Sequence, residues 1–466
     1  MSTHFVILGN GAAGYRAAKE IRRAEPDAQI SVFTEERHPF YLRRQLGDFV
    51  AGNLTLPELI FQSRNTYRRE RIDLFLMTRV EAVDPAAHEV VFASGQRVRY
   101  DRLLLATGTR ALPFEIPGTD HEGVVTFDTL TEAVEVKRMA GQARHAAILG
   151  EGIVGLTLTE SLIARGLRVT QLVRGERFWP EMLDERSSAL VEALLENHGV
   201  TLKRGAAARA VIGAAGRVLG VETDDGETLP AELVAVGCRR RPAIEVARAS
   251  GLATGRGIHV DVGLRTSQPD IFAAGDVAEA VGRDEFGDEG AAFCWQRAWA
   301  QGALAAASML DRKARGASEA VRLRTTLFGC DLAVIGRGHV AAQENLTAVE
   351  LPGRAGIYRR AVYEDNLIVG AIVMGTGESV HELNRLVAER APRDVVERTL
   401  GLGPEGRGER VLTETFARHC PICAAELVIF HGTQAGAIIQ CDSCSTDLVV
   451  RWDGHRGWLD VRKGSD

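Results

Sequence analysis

The chain has 466 residues, too many for one hydrophobic core, so about two to four domains are expected. It is 45% hydrophobic and 25% charged, as globular proteins are, and its formal net charge of -6 excludes a bulk electrostatic pull toward nucleic acid or anionic membrane. No apolar run has the length of a membrane span, and the apolar run in MSTHFVILGN is too short for a signal peptide. Membrane insertion is therefore not expected, and a cytoplasmic location is. There thiols stay reduced, and close cysteine pairs read as metal ligands or redox groups more readily than as structural disulfides.

The first predicted elements are a strand in HFVIL, a glycine loop, a helix, and a second strand in QISVFTEE at 29–36. The loop is Gly9-Asn10-Gly11-Ala12-Ala13-Gly14. Its first glycine allows a tight turn, its second lets backbone approach a pyrophosphate, and its third lets helix pack closely on strand. The helix N-terminus then offers free N–H groups and partial positive charge to phosphates. Glu35 lies 21 residues past Gly14, where a carboxylate can accept hydrogen bonds from a ribose diol.

Strand-like runs follow in RIDLFLM, EVVFAS and RVRYDRLLLATG. From His145 the opening pattern returns: HAAIL, the loop Gly150-Glu151-Gly152-Ile153-Val154-Gly155, a helix pattern, and RVTQLVRGER at 168–177. Two nucleotide sites are implied, separated by a whole domain. The second copy's last strand runs into Arg174 and Arg177 instead of a carboxylate. A carboxylate there favours the bare 2′-hydroxyl of NADH and arginines favour the 2′-phosphate of NADPH, so this reading puts NADPH ahead of NADH.

A third block, GIHVDVGLRTSQPDIFAAGDVAE, covers 257–279, and AFCWQRAWAQGALAAASML at 292–310 reads as a helix with one buried face. Residues 321–390 mix the strand patterns LAVIGRGHVAA, IYRRAVYE and LIVGAIVMG with the helix pattern SVHELNRLVAER. GLGPEGRGER at 401–410 is a glycine-rich, charged linker.

The last stretch holds Cys420, Cys423, Cys441 and Cys444 in the spacing C-x2-C-x17-C-x2-C, which suits a tetrahedral four-thiolate site. Two knuckles donating two thiolates each can be carried by hairpins such as ELVIF…AIIQC. A module of about fifty residues is near the size at which a metal supplies stability that a small core cannot. A structural zinc ribbon is expected, as a bolt and docking surface. Iron in the same thiolates, as in a fused rubredoxin, is the alternative, and a redox disulfide module or a bare thiol cluster is a third. Ala424 and Ser445 stand where rubredoxins usually have glycine, which favours zinc.

The two glycine loops, Ala106-Thr107-Gly108 of LLLATG and the TSQPDIFAAGD block together resemble the two-dinucleotide-fold FAD oxidoreductases, the glutathione-reductase-like flavoproteins. The resemblance covers roughly residues 3–385. It implies an α/β fold with two Rossmann-like three-layer nucleotide-binding domains, an α+β interface domain and the small C-terminal ribbon. The FAD domain would comprise 1–115 and 256–320, the NAD(P)H domain 116–255, the interface domain 321–400, the linker 401–415 and the ribbon 416–466. FAD would be held by Gly9, Gly11, Ala12, Ala13, Gly14, Glu35, Glu36, Val80, Ala106, Thr107, Gly108, Gly275 and Asp276. Asp276 would bond the ribityl and phosphate region. NADPH or NADH would be held by Gly150, Gly152, Ile153, Val154, Gly155, Arg174 and Arg177.

The stretch ISVFTEERHPFYLRRQL is similar to the rubredoxin and ferredoxin reductases and to the flavin domain of NAD(P)H nitrite reductases. There the acidic pair is followed by Tyr-x-Arg-x-x-Leu beneath the flavin, here Tyr41, Arg43 and Leu46. Trp295 with Gln301-Gly302 resembles the family's helix under the flavin. Two departures matter. Residues 38–50 contain no cysteine, so a thiol relay lacks its residue, and isolated Cys238, Cys294 and Cys330 read as small buried hydrophobes. Thr157 stands where many relatives place a glutamate near the nicotinamide, so hydride activity is expected to be slow or the ring held differently. The resemblance implies an FAD-dependent NAD(P)H oxidoreductase passing electrons to a ferredoxin-like or rubredoxin-like protein or a partner enzyme subunit, with no side-chain acid or base required. A flavin-bearing regulatory or binding subunit and an oxygen-reducing NAD(P)H oxidase are the alternatives. A homodimer is left open.

Overall fold

HFVIL forms the strand His4–Leu8, in which every residue after His4 is buried. A run without polar alternation suits a strand covered on both faces. The computed structural model describes residues 2–112, 114–237, 240–280, 294–312, 320–340, 345–351, 357–375, 380–400, 415–420, 426–430, 438–441, 447–452 and 457–461. The chain divides into two units, Met1–Phe293 with Arg297–Ala317, and Cys294–Gln296 with Ser318–Asp466.

In the first unit, His4–Leu8 is the middle strand of a five-stranded parallel sheet. The order is Ile271–Ala273, Arg102–Leu105, His4–Leu8, Gln29–Phe33, Asp73–Phe75. HAAIL occupies the same place in a second parallel sheet, ordered Val124–Thr126, Leu233–Val236, His145–Leu149, Arg168–Val173, Thr201–Arg204. Strand for strand the two sheets correspond. Each also inserts a three-stranded antiparallel excursion at the same point, Val80–Asp84 to Arg97–Arg99 in one and Ala208–Ala214 to Thr228–Pro230 in the other. The duplication thus covers whole domains, whereas the sequence shows it only around the loops. The two sheets differ in the source of one edge strand. Ile271–Ala273 joins the first sheet when the chain comes back after the second sheet is complete, while Val124–Thr126 precedes the rest of its sheet.

Helix Ala12–Ala24 follows the first strand and buries Ala13, Gly14, Ala17, Ala18 and Ile21. Small residues on that face let the helix axis come close to the sheet. Ile7 and Ile21 are fully buried, and each such side chain contributes about 1.5–3 kcal/mol. Arg22 and Arg23 in the last turn complement the carbonyl end of the helix dipole.

The second unit contains a five-stranded antiparallel sheet, ordered Val321–Leu327, Cys330–Gly336, Leu367–Gly375, Tyr358–Glu364, Leu346–Glu350, and the helices Val380–Ala388 and Arg393–Thr399. In the cysteine-rich stretch the strand pairing differs from the expected one. Glu426–Phe430 pairs with Thr415–His419, and Ile438–Gln440 pairs with Asp447–Trp452, which continues to Gly457–Val461. ELVIF and AIIQ are therefore not partners: the strands that flank each Cys-x-x-Cys segment pair with each other. Of the expected linker, residues 401–414 lie outside the described residues.

Candidate functional site

The first glycine loop leaves the C-terminal end of His4–Leu8. Gly9 has φ of 107°, a region open to glycine, and a Cβ on it would strike the Ala106 carbonyl oxygen. A Cβ on Gly14 would strike the carbonyl of Gly9, whereas one on Gly11 would meet nothing within 4 Å. The outer glycines are thus demanded by backbone packing and the middle one faces open space. Gly11 caps helix Ala12–Ala24 with no side-chain hydrogen bond and no acid in the first turn. Some other helices here are capped, as where Thr129 forms a capping box on Leu130–Ala140 and Asp184 accepts from Ser187 N, while others such as Leu46–Ala51 and Glu245–Ala249 are not. Uncapped N–H groups beside open space fit a phosphate. Asn10 adds a polar edge. Its Oδ1 accepts from Tyr67 Oη at 2.8 Å, and its Nδ2 is buried with no partner among the described residues.

Three expected contributors converge on this helix start. A Cβ on Gly302 would collide with the Ala13 backbone, and one on Gly275 would lie 3.1 Å from Ala13 Cβ. Gln301 Oε1 accepts from Gly275 N at 2.7 Å. Thr107 Oγ1 donates to the Ala243 carbonyl at 2.9 Å, and Gly108, at φ 65°, has open space on its Cβ side. Glu35, exposed past the end of Gln29–Phe33, is held by Arg110 at 2.8 and 3.0 Å, with Arg79 at 3.8 Å. Val80 is buried at the start of its strand.

Glu36, Tyr41 and Arg43 form a charged net. Tyr41 Oη donates to Glu36 at 2.7 Å and accepts from Leu130 N at 3.2 Å. Arg43 bridges Glu36 and Asp128, with Nη1 3.0 Å from Asp128 Oδ1. Arg240 pairs with Asp128 at 2.5 Å and donates to Thr109 Oγ1 at 2.8 Å. Burial opposes the charge on Arg43, but Tyr41, Glu36 and Asp128 outweigh it and hold the guanidinium above its ordinary range. Burial likewise pushes the Tyr41 phenol up, so it stays a neutral donor. Asp276 is raised from 3.8 to about 6, chiefly by burial, against the pull of Arg240, Arg297 and Arg43. It keeps partial solvent access although protein surrounds it.

The second loop repeats the frame. A Cβ on Gly150, at φ 137°, would lie 2.9 Å from the Gly237 carbonyl, and one on Gly155 would strike the Gly150 carbonyl. Gly152 meets only the Trp179 ring, at 3.9 Å. Helix Ile153–Ala164 again starts without a side-chain cap. Fully buried Gln171 donates to the Gly150 carbonyl at 2.8 Å and is itself held by Thr159 at 3.0 Å. Ile153 and Val154 are half-buried. Arg174 is exposed and Arg177 half-buried, and neither forms an ion pair among the described residues. Thr157 does not point freely at a ligand. Its hydroxyl donates to Ile153 O at 2.8 Å, and its methyl packs against Gly47.

Sequence reasoning missed Asp128, Arg240, Tyr67, Trp299 and Glu151. Asp128 and Arg240 are distant in sequence from the arginine and threonine they bind, so no local pattern marks them. Glu151 did carry a signal, an acid inside a phosphate-binding loop. Trp295 opens helix Trp295–Met309 and belongs to the second unit. Cys420 and Cys441 are buried and directly follow the strands Thr415–His419 and Ile438–Gln440, while Cys423 and Cys444 lie outside the described residues.

Residues 3–302 match the family described as pyridine nucleotide-disulphide oxidoreductase. The chain is 36% identical over 273 residues to the biphenyl dioxygenase system ferredoxin–NAD(+) reductase component of Paraburkholderia xenovorans. That alignment covers 58% of this chain and 66% of the relative, just under two thirds of its length. It is 31% identical over 408 residues to the anthranilate 1,2-dioxygenase system ferredoxin–NAD(+) reductase component of Burkholderia cepacia, covering 85% of this chain and 98% of that one. A solved ferredoxin reductase from Rhodopseudomonas palustris has a TM-score of 0.73 at 25% identity, covering 80% of this chain and 91% of that one.

Proposed function

The chain belongs to the pyridine nucleotide-disulphide oxidoreductase family, and from that we propose an FAD-dependent NAD(P)H:acceptor oxidoreductase that serves a small redox protein, ferredoxin-like or rubredoxin-like, or a partner subunit. The observation that carries this is the pair of helix N-termini without side-chain caps at matching ends of two duplicated sheets, with open space at the middle glycine of the first and only the Trp179 ring against that of the second. When bound, FAD supplies the conversion between a two-electron hydride and single electrons. Each nicotinamide oxidised therefore reduces two one-electron acceptors.

The residues around the first loop hold the dinucleotide. Gly11 and the first turn of Ala12–Ala24 face the pyrophosphate, Glu35 the adenosine ribose, and Asp276 the ribityl chain. Tyr41, Arg43, Glu36 and Asp128 fix the wall of the cleft. Val80 completes this set by resemblance. No cysteine stands at 38–50, so electrons leave without a thiol relay, whatever the family description says of disulphides. Anaerobic mixing with NADH or NADPH should bleach the flavin absorption within seconds, and the absence of bleaching with both would refute the reading.

Packing of Thr157 on Gly47 favours one second reading, a flavin-bearing binding subunit with little hydride activity. It predicts bound flavin, negligible turnover and stable copurification with a partner.

For the tail we propose that Cys420, Cys423, Cys441 and Cys444 hold one structural zinc ion, in a cytoplasmic setting that keeps the thiolates reduced. Support comes from the buried Cys420 and Cys441, each directly following the first strand of its own antiparallel pair. Metal content of the purified protein tests it, and iron with the red colour of thiolate ligation would overturn zinc.

A further inference from the structure

In a fold of this kind the adenosine ribose of a bound dinucleotide lies near the end of the second strand, where a carboxylate normally meets it. Here strand Arg168–Val173 runs straight into Arg174. The glycine loop supplies an acid of its own. Glu151, between Gly150 and Gly152, is half-buried, and its Oε2 is buried with no hydrogen-bond partner among the described residues. Arg174 lies within its electrostatic reach, as do Glu181 and Glu192, and the Trp179 backbone N–H faces it. Trp179 has φ of 48°, a left-handed conformation uncommon for a bulky residue, and its ring packs against Gly152.

We propose that Glu151 is the specificity-determining residue of the second site: it accepts a hydrogen bond from the 2′-hydroxyl of the adenosine ribose, and so selects NADH over NADPH despite Arg174 and Arg177. The inference rests on reading the second loop as a nicotinamide dinucleotide site.

The argument is one of complementarity. A buried carboxylate oxygen needs a donor. A ribose hydroxyl is a donor, whereas a 2′-phosphate at neutral pH brings acceptors and about two negative charges. Placing it beside Glu151, with Glu181 and Glu192 near, sets like charges together. Arg174, within electrostatic reach of Glu151 but not ion-paired with it, gives that carboxylate a partial counter-charge. Burial, followed by Glu181, lifts the Glu151 carboxyl above its ordinary range, and the hydroxyl donor relieves that cost.

Calorimetric titration of the whole purified chain with ADP-ribose and with 2′-phospho-ADP-ribose tests this without hydride transfer. ADP-ribose should bind at least about tenfold more tightly. Glu151→Gln keeps the shape and removes the charge, and should bring the ratio to about one or reverse it. Arg174→Ala should leave ADP-ribose preferred. A preference for the 2′-phosphorylated fragment in the unaltered protein, or an unchanged ratio in Glu151→Gln, would overturn the assignment while leaving the second site standing. If neither fragment binds, the site itself fails and the assignment falls with it.

Discussion

Replacing Gly47 with alanine should loosen the junction between the two nucleotide domains. Helix Leu46–Ala51 of the first domain packs against helix Ile153–Ala164 of the second. A Cβ on Gly47 would sit 2.5 Å from Thr157 Cγ2 and 3.1 Å from Ser161 Oγ, where ordinary contact begins at 3.4 Å. Neither neighbour can turn aside cheaply. Thr157 Oγ1 is bonded to Ile153 O at 2.8 Å, and Ser161 Oγ to the carbonyls of Gly47 and Thr157 at 3.0 and 2.6 Å. The helices must therefore separate by about an ångström, and such overpacking costs about 1–3 kcal/mol. Alanine's better helix propensity returns up to about 1 kcal/mol, so the net effect stays destabilising. Thr157→Ser removes the offending methyl and keeps the hydroxyl. In the double variant most of the loss should vanish, with a coupling of about 1–2 kcal/mol. Urea unfolding of the four proteins, followed by tryptophan fluorescence, measures it. Gly47→Ala as stable as the parent, or a loss that Thr157→Ser does not relieve, would refute the reasoning.

Three further outcomes follow from the same geometry. Because burial raises Asp276 from 3.8 to about 6, the stabilising effect of its proton is complete below 3.8 and gone above about 6. Flavin-stripped protein should lose stability across that interval and Asp276→Asn should lose much less, as read by thermal unfolding at a series of pH values. Arg43→Met leaves Glu36 and Asp128 without their shared cation, and flavin retention through gel filtration should weaken by about tenfold or more. Cys441→Ser should abolish zinc in elemental analysis and open residues 415–466 to protease, while flavin bleaching by NADH stays unchanged; retained stoichiometric zinc would remove Cys441 from the ligand set.

The parts of the fold legible in the sequence are those written in local pattern. HFVIL and HAAIL lack polar alternation because both faces of each strand are covered, and the outer glycines of the loops that follow recur because backbone atoms occupy the space a Cβ would take. The full correspondence of the two domains was not legible, since outside the loops it is carried by strand order and not by residue identity. The charged net was half legible. Tyr41 and Arg43 stand in a recognisable stretch, but Asp128, 85 residues from Arg43, has no local mark. The expected hairpin of ELVIF with AIIQ does not form: two adjacent apolar runs look like a hairpin, but each finds its partner on the far side of a Cys-x-x-Cys segment.

The surroundings of the two loops also account for different roles. Tyr15, on the helix that follows the first loop, stacks on Phe40 at 4.1 Å and lies within 5.9 to 6.3 Å of Phe61, Trp299 and Tyr67. Tyr67 in turn holds Asn10 of the loop itself. Aromatic packing of this density fixes a helix N-terminus in place, and a preorganised site releases its ligand slowly. The second loop is braced by Gln171 with Thr159, and beyond them stand half-buried Ile153 and Val154 and the ring of Trp179. A cosubstrate must leave in every turnover, so a site walled by adaptable side chains serves it better than a rigid box. The same glycine frame thus suits a resident group in one copy and a visiting one in the other, and the difference lies in the residues packed behind each loop.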